Sequence, residues 1–468
     1  MAPSLALGVW MILLVGLLCF DPAKSPNTSL ALWIPVISLF IAGTRNISHW
    51  LGGQVGMSAA AFEEGNPLDR VISLGLILLA IGVLMARSLN WGAFIARNLA
   101  LLAFLSFALL SVVWSDFPFT AFKRWFRDLG IYLMILVVLS DPRPLEAVRT
   151  VLRRLAYLMV PLSILLIKYY SAIGKHYSYW TGEAEFVGAA TSKNMLGLLC
   201  LISGLFFFWD TVTRWPERKQ RKVKRILLVN LALIGMTLWL MRLAQSTTSE
   251  VCLLIGCLVI VAAHIRFFKR HPTALKVFVP ALFGLYLILN FGLNMNGSMA
   301  QAVGKDPTMT DRTKIWAFVL GMHTNPLVGT GYQSFWLGPR LEYFWMHSGL
   351  GHLNEAHNGY LEVYLELGLL GVIALLCFLF AGYRVICKGL TSRSDLAVLA
   401  LATWLALLFY NMSEAAFENG LLWTMLMFGA IALPKRTRER VPARAALDEP
   451  AREYRIQDLS FETTSHRR

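Results

Sequence analysis

Four short stretches carry side chains that can hold an anion. Lys123, Arg124 and Arg127 fall in FKRWFRD, Lys193 in TSKNMLG, Arg242 directly after LWLM, and Arg312 in TDRTKIW. The planar fork of Arg takes two oxygens of one phosphate, and cations stabilise the charge that develops on a departing diphosphate. At a dry membrane boundary such a set suits a lipid diphosphate. The plainer role is that of interfacial anchors with snorkelling stems. Arg312 stands apart from that role, because it sits in a long connection and not at the end of an apolar run. A fifth stretch, EAHNGYLEVYLELGLLG, spans residues 355–371. His357 sits at the start of an expected spanning helix, where the positive end of the helix dipole disfavours imidazolium. A neutral imidazole there can act as general base. Asn358 and Glu362 are four residues apart and share a face, which Glu366 continues. Carboxylates within a membrane span face a cavity or a partner. Helix capping for His357 and structural pairing for Glu366 are the competing roles.

Two further features are weaker. In NPLVGTGYQSFWLG, residues 325–338, Gly329 and Gly331 allow close backbone approach to a ligand, although a tight turn is the simpler meaning. His352, Tyr343, Phe344 and Trp345 fit either stacking on sugar or a membrane interface, with the interface preferred. There is no H-E-x-x-H, D-x-D or C-x-x-C, and no G-x-x-x-x-G-K-[ST]. Neither a bound metal nor nucleotide hydrolysis therefore has support, and no cofactor is expected. The six Cys lie in or beside apolar runs, so no disulfide framework is indicated.

The elements that must position these groups are apolar helices. Of 468 residues, 56% are hydrophobic and 15% charged, with a mean hydropathy of +0.57. An ordinary soluble enzyme carries more charge. A formal charge of +15 would suggest nucleic acid in a soluble protein. Here the apolar excess points to a membrane instead, with the basic residues marking its cytoplasmic face. A spanning helix needs about 20 mostly apolar residues. Runs near 4–20, 28–43, 71–86, 98–114, 128–140, 155–171, 194–210, 226–241, 251–265, 277–294, 359–380, 396–411 and 419–433 are the candidates. The expected fold is an all-α polytopic membrane protein with about 12–13 transmembrane helices. The first run has no basic flank or clear cleavage site and is expected to be retained.

Most of the 43 Lys and Arg fall in 86–97, 141–154, 210–225, 266–276, 382–395 and 434–468, with seven in TVTRWPERKQRKVKR alone. Those segments are expected to face the cytoplasm, which puts the basic groups of the first paragraph outside. The division that follows is a transmembrane bundle over 1–433, one long outer loop at 295–358 within it, and a flexible basic cytoplasmic tail at 434–468. The loop carries apolar residues at helical spacing. Asp311 is placed to cap a helix from Arg312, on which Ile315, Trp316, Val319 and Leu320 form a stripe. Such a helix would lie on the membrane surface or cover a cavity. The two halves of the chain show no internal repeat, which counts against a transporter.

With D-R-x-x-I-W, then N-P-L-x-G-x-G-Y, then A-H-N-G-Y-L-E-x-x-x-E-x-G-L-L-G, the chain resembles the O-antigen ligase and polymerase superfamily. Residues 31–51, 110–130, 161–177 and 192–201 are similar to the exopolysaccharide production proteins of the ExoQ kind within it. The similarity runs over most of residues 30–433. The resemblance implies a GT-C-like helical glycosyltransferase that is metal-independent. It would take glycan from an undecaprenyl diphosphate carrier on the periplasmic side of the bacterial inner membrane. It further implies that Arg312 contacts the diphosphate and that His357 activates the acceptor hydroxyl. Lys193 and Arg124 would hold phosphate, with Arg127 and Arg242 as further candidates. Trp316, Asn358 and Glu362 are expected to support the site.

The leading expectation is thus an inverting polymerase that joins lipid-linked repeat units of an exopolysaccharide. Its expected partners are the lipid-linked glycan, membrane lipids, chain-length regulators and export proteins, with no nucleic acid. One alternative is a ligase that passes glycan to lipid A-core. Another is a flippase for lipid-linked sugar, which should carry charges deep in many spans. In this chain the charge gathers in loops and at span ends.

Overall fold

The computed structural model describes residues 2–26, 28–52, 65–177, 182–289, 312–418 and 420–433. Asp311 and the tail 434–468 lie outside them, as does residue 295–311 of the loop. The first helices are α1 (Pro3–Phe20), α2 (Trp33–Gly43), α3 (Ile47–Trp50), α4 (Pro67–Ala86), α5 (Trp91–Arg97) and α6 (Leu99–Leu110). The middle of the chain forms α7 (Pro118–Leu139), α8 (Pro144–Tyr169), α9 (Ser171–Gly174), α10 (Lys193–Arg214), α11 (Arg221–Ala244), α12 (Thr247–His264), α13 (Arg266–Arg270) and α14 (Pro272–Leu287). The last part forms α15 (Arg312–Gly321), α16 (Gly338–His347), α17 (Gly359–Thr391), α18 (Asp395–Tyr410) and α19 (Gly420–Ala430). One small antiparallel ribbon pairs Lys175–Tyr177 with Ala184–Phe186.

This is an all-α multi-pass membrane protein. Its starts follow the usual helix chemistry. Pro opens α4, α7, α8 and α14, where its missing N–H costs nothing. Side chains of Asn66, Asn90, Ser192 and Asn358 cap α4, α5, α10 and α17. Seven described helices are long and apolar enough to cross a membrane, and eight if α5 and the Leu99–Trp114 segment, which meet at 88°, form one span. Leu30–Gly43, Pro272–Leu287, Asp395–Tyr410 and Gly420–Ala430 are apolar but shorter. The expected 12–13 spans therefore exceed the helices that pass on length and composition. The described parts of the apolar runs are mostly helical, but several are too short to span the bilayer by themselves.

Helices α8 and α10 are buried along most of their length, whereas α1 and α4 expose apolar faces with Ile12, Val71 and Met85 outward. Large exposed apolar surface is costly in water and natural against lipid tails. Deep in the bundle, Asp210 of α10 is fully buried and takes Arg153 at 2.8 Å, Arg214 at 2.9 Å and the Asn230 amide at 3.0 Å. That knot ties α8, α10 and α11 at one end. Asp210 lies 17 residues after Lys193 in α10, so Lys193 at the helix start is about 26 Å away.

Described residues of the long loop fold around a small core of their own. Ile315 and Val319 of α15 pack with Phe335, Trp336, Leu341, Phe344 and Leu365. The expected stripe is correct at Ile315, Trp316 and Val319, but Leu320 points outward, because the loop core occupies only one side of α15. The loop also locks into a break in α17. Gly368 has φ +63, and the helical hydrogen bonds lost there are replaced by the chain at 325–331. Thr330 N donates to Leu365 O (3.1 Å), Gly331 N to Glu366 O (2.8 Å), Leu369 N to Pro326 O (2.9 Å) and Leu370 N to Leu327 O (3.1 Å). A Cβ at Gly329 would strike the Glu366 carbonyl, and one at Gly368 the Leu327 carbonyl. Gly329 thus allows close approach to the α17 backbone, and Gly331 to Ser115 and the Ser111 carbonyl.

Candidate functional site

The loop lock brings four segments to one point: the start of α10, the start of α15, the residues before α17, and the turn between α18 and α19. Glu414 of that turn joins them. Its Oε1 accepts from Arg312 Nη2 at 2.5 Å and from Asn194 Nδ2 at 3.0 Å. Its Oε2 lies 3.3 Å from His357 Nδ1, and Glu355 Oε1 lies 3.1 Å from the same nitrogen. The Gly359 N–H donates to the Glu414 carbonyl at 2.9 Å, which fixes the turn against the start of α17. Arg312 and His357 therefore meet across one buried carboxylate.

His357 is held with φ +48, a region that non-glycine residues seldom adopt. Such backbone persists where surroundings over-determine it, as at functional sites. The next residue, Asn358, spends its side chain on the Tyr360 and Leu361 N–H groups at 3.1 Å each. It is the helix cap, so the expected face shared with Glu362 reduces to Glu362 and Glu366. Trp316 Nε1 donates to the Ala356 carbonyl at 2.9 Å and ties α15 to the residue before His357. Glu362 accepts from the Ala356 N–H and from Trp336 Nε1 at 2.9 Å.

The expectation of a dipole-neutralised imidazole is overturned. Burial does lower the His357 pKa, but the Glu414 hydrogen bond and the charges of Glu355 and Glu414 outweigh it. Arg312 opposes them, and the net shift is upward from the ordinary value. With Nδ1 turned to two carboxylates, the proton sits on Nδ1 and Nε2 is left to accept one. This is the base-plus-orienting-carboxylate arrangement of acyl-transfer triads, without the serine.

The other cations are distributed differently. Lys193 opens α10 beside Asn194 and pairs with Glu185 at 2.7 Å. Arg124 donates to the Gln333 carbonyl at 2.6 Å and lines an adjoining acidic cavity. Arg127 is bound to Asp128 at 2.9 Å, and Lys123 lies over the Phe119 ring. Arg242 is exposed on the last turn of α11 and does not line that cavity. A single pocket of all these cations is therefore not what forms, because Asp128 and the Gln333 carbonyl draw the α7 pair away from Arg312. Among the aromatics, Phe344 is buried in the loop core and Tyr343 stacks on His347 at 4.2 Å. Trp345 Nε1 donates to Leu353 O, and His352 lies edge-on to its ring.

The acidic cavity adjoins the site and has a volume of about 220 Å³. Glu355, Glu362, Glu366 and Glu418 line it, with Arg124 and Trp336. Gln333 (φ +47) braces it from behind, donating to Glu366 Oε2 at 2.9 Å and to Asp128 Oδ2 at 2.6 Å. Sequence reasoning missed Glu355, Glu414, Glu418 and Gln333 as site residues. The available signal was MSEAAFEN, a short connection with two carboxylates and no Lys or Arg. Glu355, His357 and Glu414 also place metal-ligand atoms within 4.8 Å of one another. Arg312 already lays its guanidinium on Glu414 there, so a positive charge is supplied without an ion.

Residues 231–376 match the family model described as O-antigen ligase. Over 314 residues the chain is 29% identical to the exopolysaccharide production protein ExoQ of Rhizobium meliloti (strain 1021), covering 64% of this chain and 67% of that one. Over residues 231–376 the chain is similar to the O-antigen ligase family. The matched segment contains Arg312, Trp316, Trp336, His357, Glu362 and Glu366, while Glu414 and Glu418 lie beyond its end. The two likenesses support a glycan-processing function in a membrane.

Proposed function

We propose that this protein is an inverting glycosyltransferase that polymerises oligosaccharide repeat units carried on undecaprenyl diphosphate, at the periplasmic face of the inner membrane. The observation that carries the reading is the Glu414 bridge between Arg312 and His357. An acceptor sugar hydroxyl attacks the anomeric carbon of the donor. The hydroxyl proton passes to His357 Nε2 as the new C–O bond forms. The bond from the anomeric carbon to diphosphate breaks, and the anion departs toward Arg312 and Lys193. Glu414 holds the imidazole and guanidinium in register, which supplies orientation before the reaction begins. One displacement of this kind inverts the anomeric centre.

The outward placement draws support from α10. Its first turn reaches the Glu414 bridge, and its last turn enters TVTRWPERKQRKVKR, the richest basic segment. The site and that segment thus sit at opposite ends of one spanning helix, as a positive-inside orientation requires. The family description as O-antigen ligase keeps transfer to lipid A-core as a second reading.

The test is purified protein in liposomes with a defined lipid-diphosphate oligosaccharide. Wild type is expected to form polymer, and His357→Ala and Arg312→Ala to lose about 10²–10⁴-fold in rate. Product only on an added lipid A-core acceptor would assign the ligase reading. Movement of the carrier across the bilayer with no new glycosidic bond would overturn both.

A further inference from the structure

The carboxylate-walled cavity is not used by the chemistry above, and its wall is unsuited to a diphosphate. Four carboxylates face one guanidinium, so an anion is repelled there. Yet the cavity touches the site, because Glu355 lines it and also meets His357 Nδ1 at 3.1 Å. Several of its carboxylate oxygens have donors: Glu362 holds Trp336 Nε1 and the Ala356 N–H, and Glu366 holds the Gln333 N–H. Glu418 is different. Its residue is 6% exposed, and its Oε1 is buried with no hydrogen-bond partner among the described residues. An orphaned carboxylate oxygen inside a cavity carries a full desolvation cost until a ligand donates to it. Glu418 is also held at φ +71, which makes it, with Gln333 and His357, the third non-glycine residue of this region with left-handed backbone.

We propose that this cavity is the subsite for an uncharged, hydroxyl-rich sugar ring of the acceptor glycan, with the Glu418 carboxyl group hydrogen-bonded to a ring hydroxyl. The assignment rests on the glycosyl-transfer reading and names the substrate class of that site. Sugar hydroxyls both donate and accept, and a carboxyl group can answer either role according to its protonation, so the wall matches the ring in kind. Trp336, Val363 and Phe417 supply the apolar surface that a ring's C–H face needs. A divalent cation is a poorer occupant, because it takes six or more oxygens and about half of the wall's carboxylate oxygens already hold a partner. Burial, with Asp128 and Glu362 nearby, pushes Glu418 up to about 8, in keeping with a carboxyl short of donors. The same wall excludes a uronate or a phosphorylated sugar at this position.

The experiment has a binding arm and a kinetic arm. Neutral trisaccharides of glucose, galactose and mannose, together with trigalacturonic acid, are titrated calorimetrically into the detergent-solubilised full chain. At least one neutral trisaccharide is expected to bind, and trigalacturonic acid is not. Glu418→Gln keeps the shape and is expected to weaken that binding about tenfold, as loss of one hydrogen bond implies. Glu366→Gln, on the same wall, is a second variant should the first fail to fold. In the liposome assay Glu418→Gln is expected to raise the acceptor KM by a similar factor and leave the donor KM unchanged. Tighter binding of trigalacturonic acid, no binding of any neutral trisaccharide, competition by calcium, or equal affinity in wild type and both variants would overturn the proposal. Because the binding arm needs no turnover, sugar binding without polymer would count against the transferase reading and not against the subsite.

Discussion

Glu414 accepts from an arginine, an asparagine and a histidine, and so has little freedom of its own. Its consequences are electrostatic as well as geometric. It is a main reason the His357 pKa stands above the ordinary value despite burial. A general base works only when deprotonated, so the rate of this enzyme is expected to rise with pH through that elevated value. Glu414→Gln removes the charge and keeps the shape. The imidazole then loses its proton more easily, and the acidic limb of the pH–rate profile moves to lower pH. The plateau falls as well, by about 100-fold, because the oriented base is gone. The stability linkage has the opposite direction in pH. A folded-state pKa above the unfolded one contributes stability that is complete below the unfolded value of about 6.5 and is lost as pH rises through the folded one. A profile for Glu414→Gln that keeps its acidic limb in place would separate Glu414 from the base.

At the scale of elements, the decisive joint is the break in α17. The residues 325–331 satisfy the backbone groups that Gly368 leaves open, and this contact also holds Gln333 behind the acidic cavity. Gly368→Ala would need positive φ and would drive a methyl into the Leu327 carbonyl. It is expected to cost well over about 1 kcal/mol, seen as a lower thermal midpoint in detergent, with activity lost even in the folded fraction. Gly284→Ala, in α14 with open space around it, serves as the tolerated control. An unaltered Gly368→Ala melt would mean that the loop lock carries little energy. This joint was not legible in the sequence. N-P-L-V-G-T-G-Y showed that glycines were needed, but the partner is main chain, and main chain has no residue-type signature. The helices themselves were legible, because apolar runs and caps are local. Arg312 and His357 were legible by type and by family motif. Their meeting was not, because it depends on Glu414, 57 residues beyond His357 and joined to it only by the fold. The pKa direction was misjudged for the same reason: a helix dipole can be inferred locally, whereas two converging carboxylates cannot.

Over the whole molecule, the charge pattern and the site geometry make a joint prediction about sidedness. The buried Asp210 knot and the basic segment after it lie at one end of α10, and the Glu414 bridge lies at the other. If Lys and Arg mark the cytoplasmic side, the site must open outward. Single cysteines placed at Lys219 and at His347 in a background without the six native ones report this directly. In sealed right-side-out vesicles an impermeant maleimide is expected to label His347→Cys at once and Lys219→Cys only after lysis. His347 is suited to the test because it is surface-exposed on α16, outside the Glu414 bridge. Labelling of both from outside would break the link between the basic segments and the cytoplasm. Labelling of Lys219→Cys alone would invert the molecule and remove the periplasmic placement, while leaving the Arg312–Glu414–His357 geometry in need of a cytoplasmic substrate.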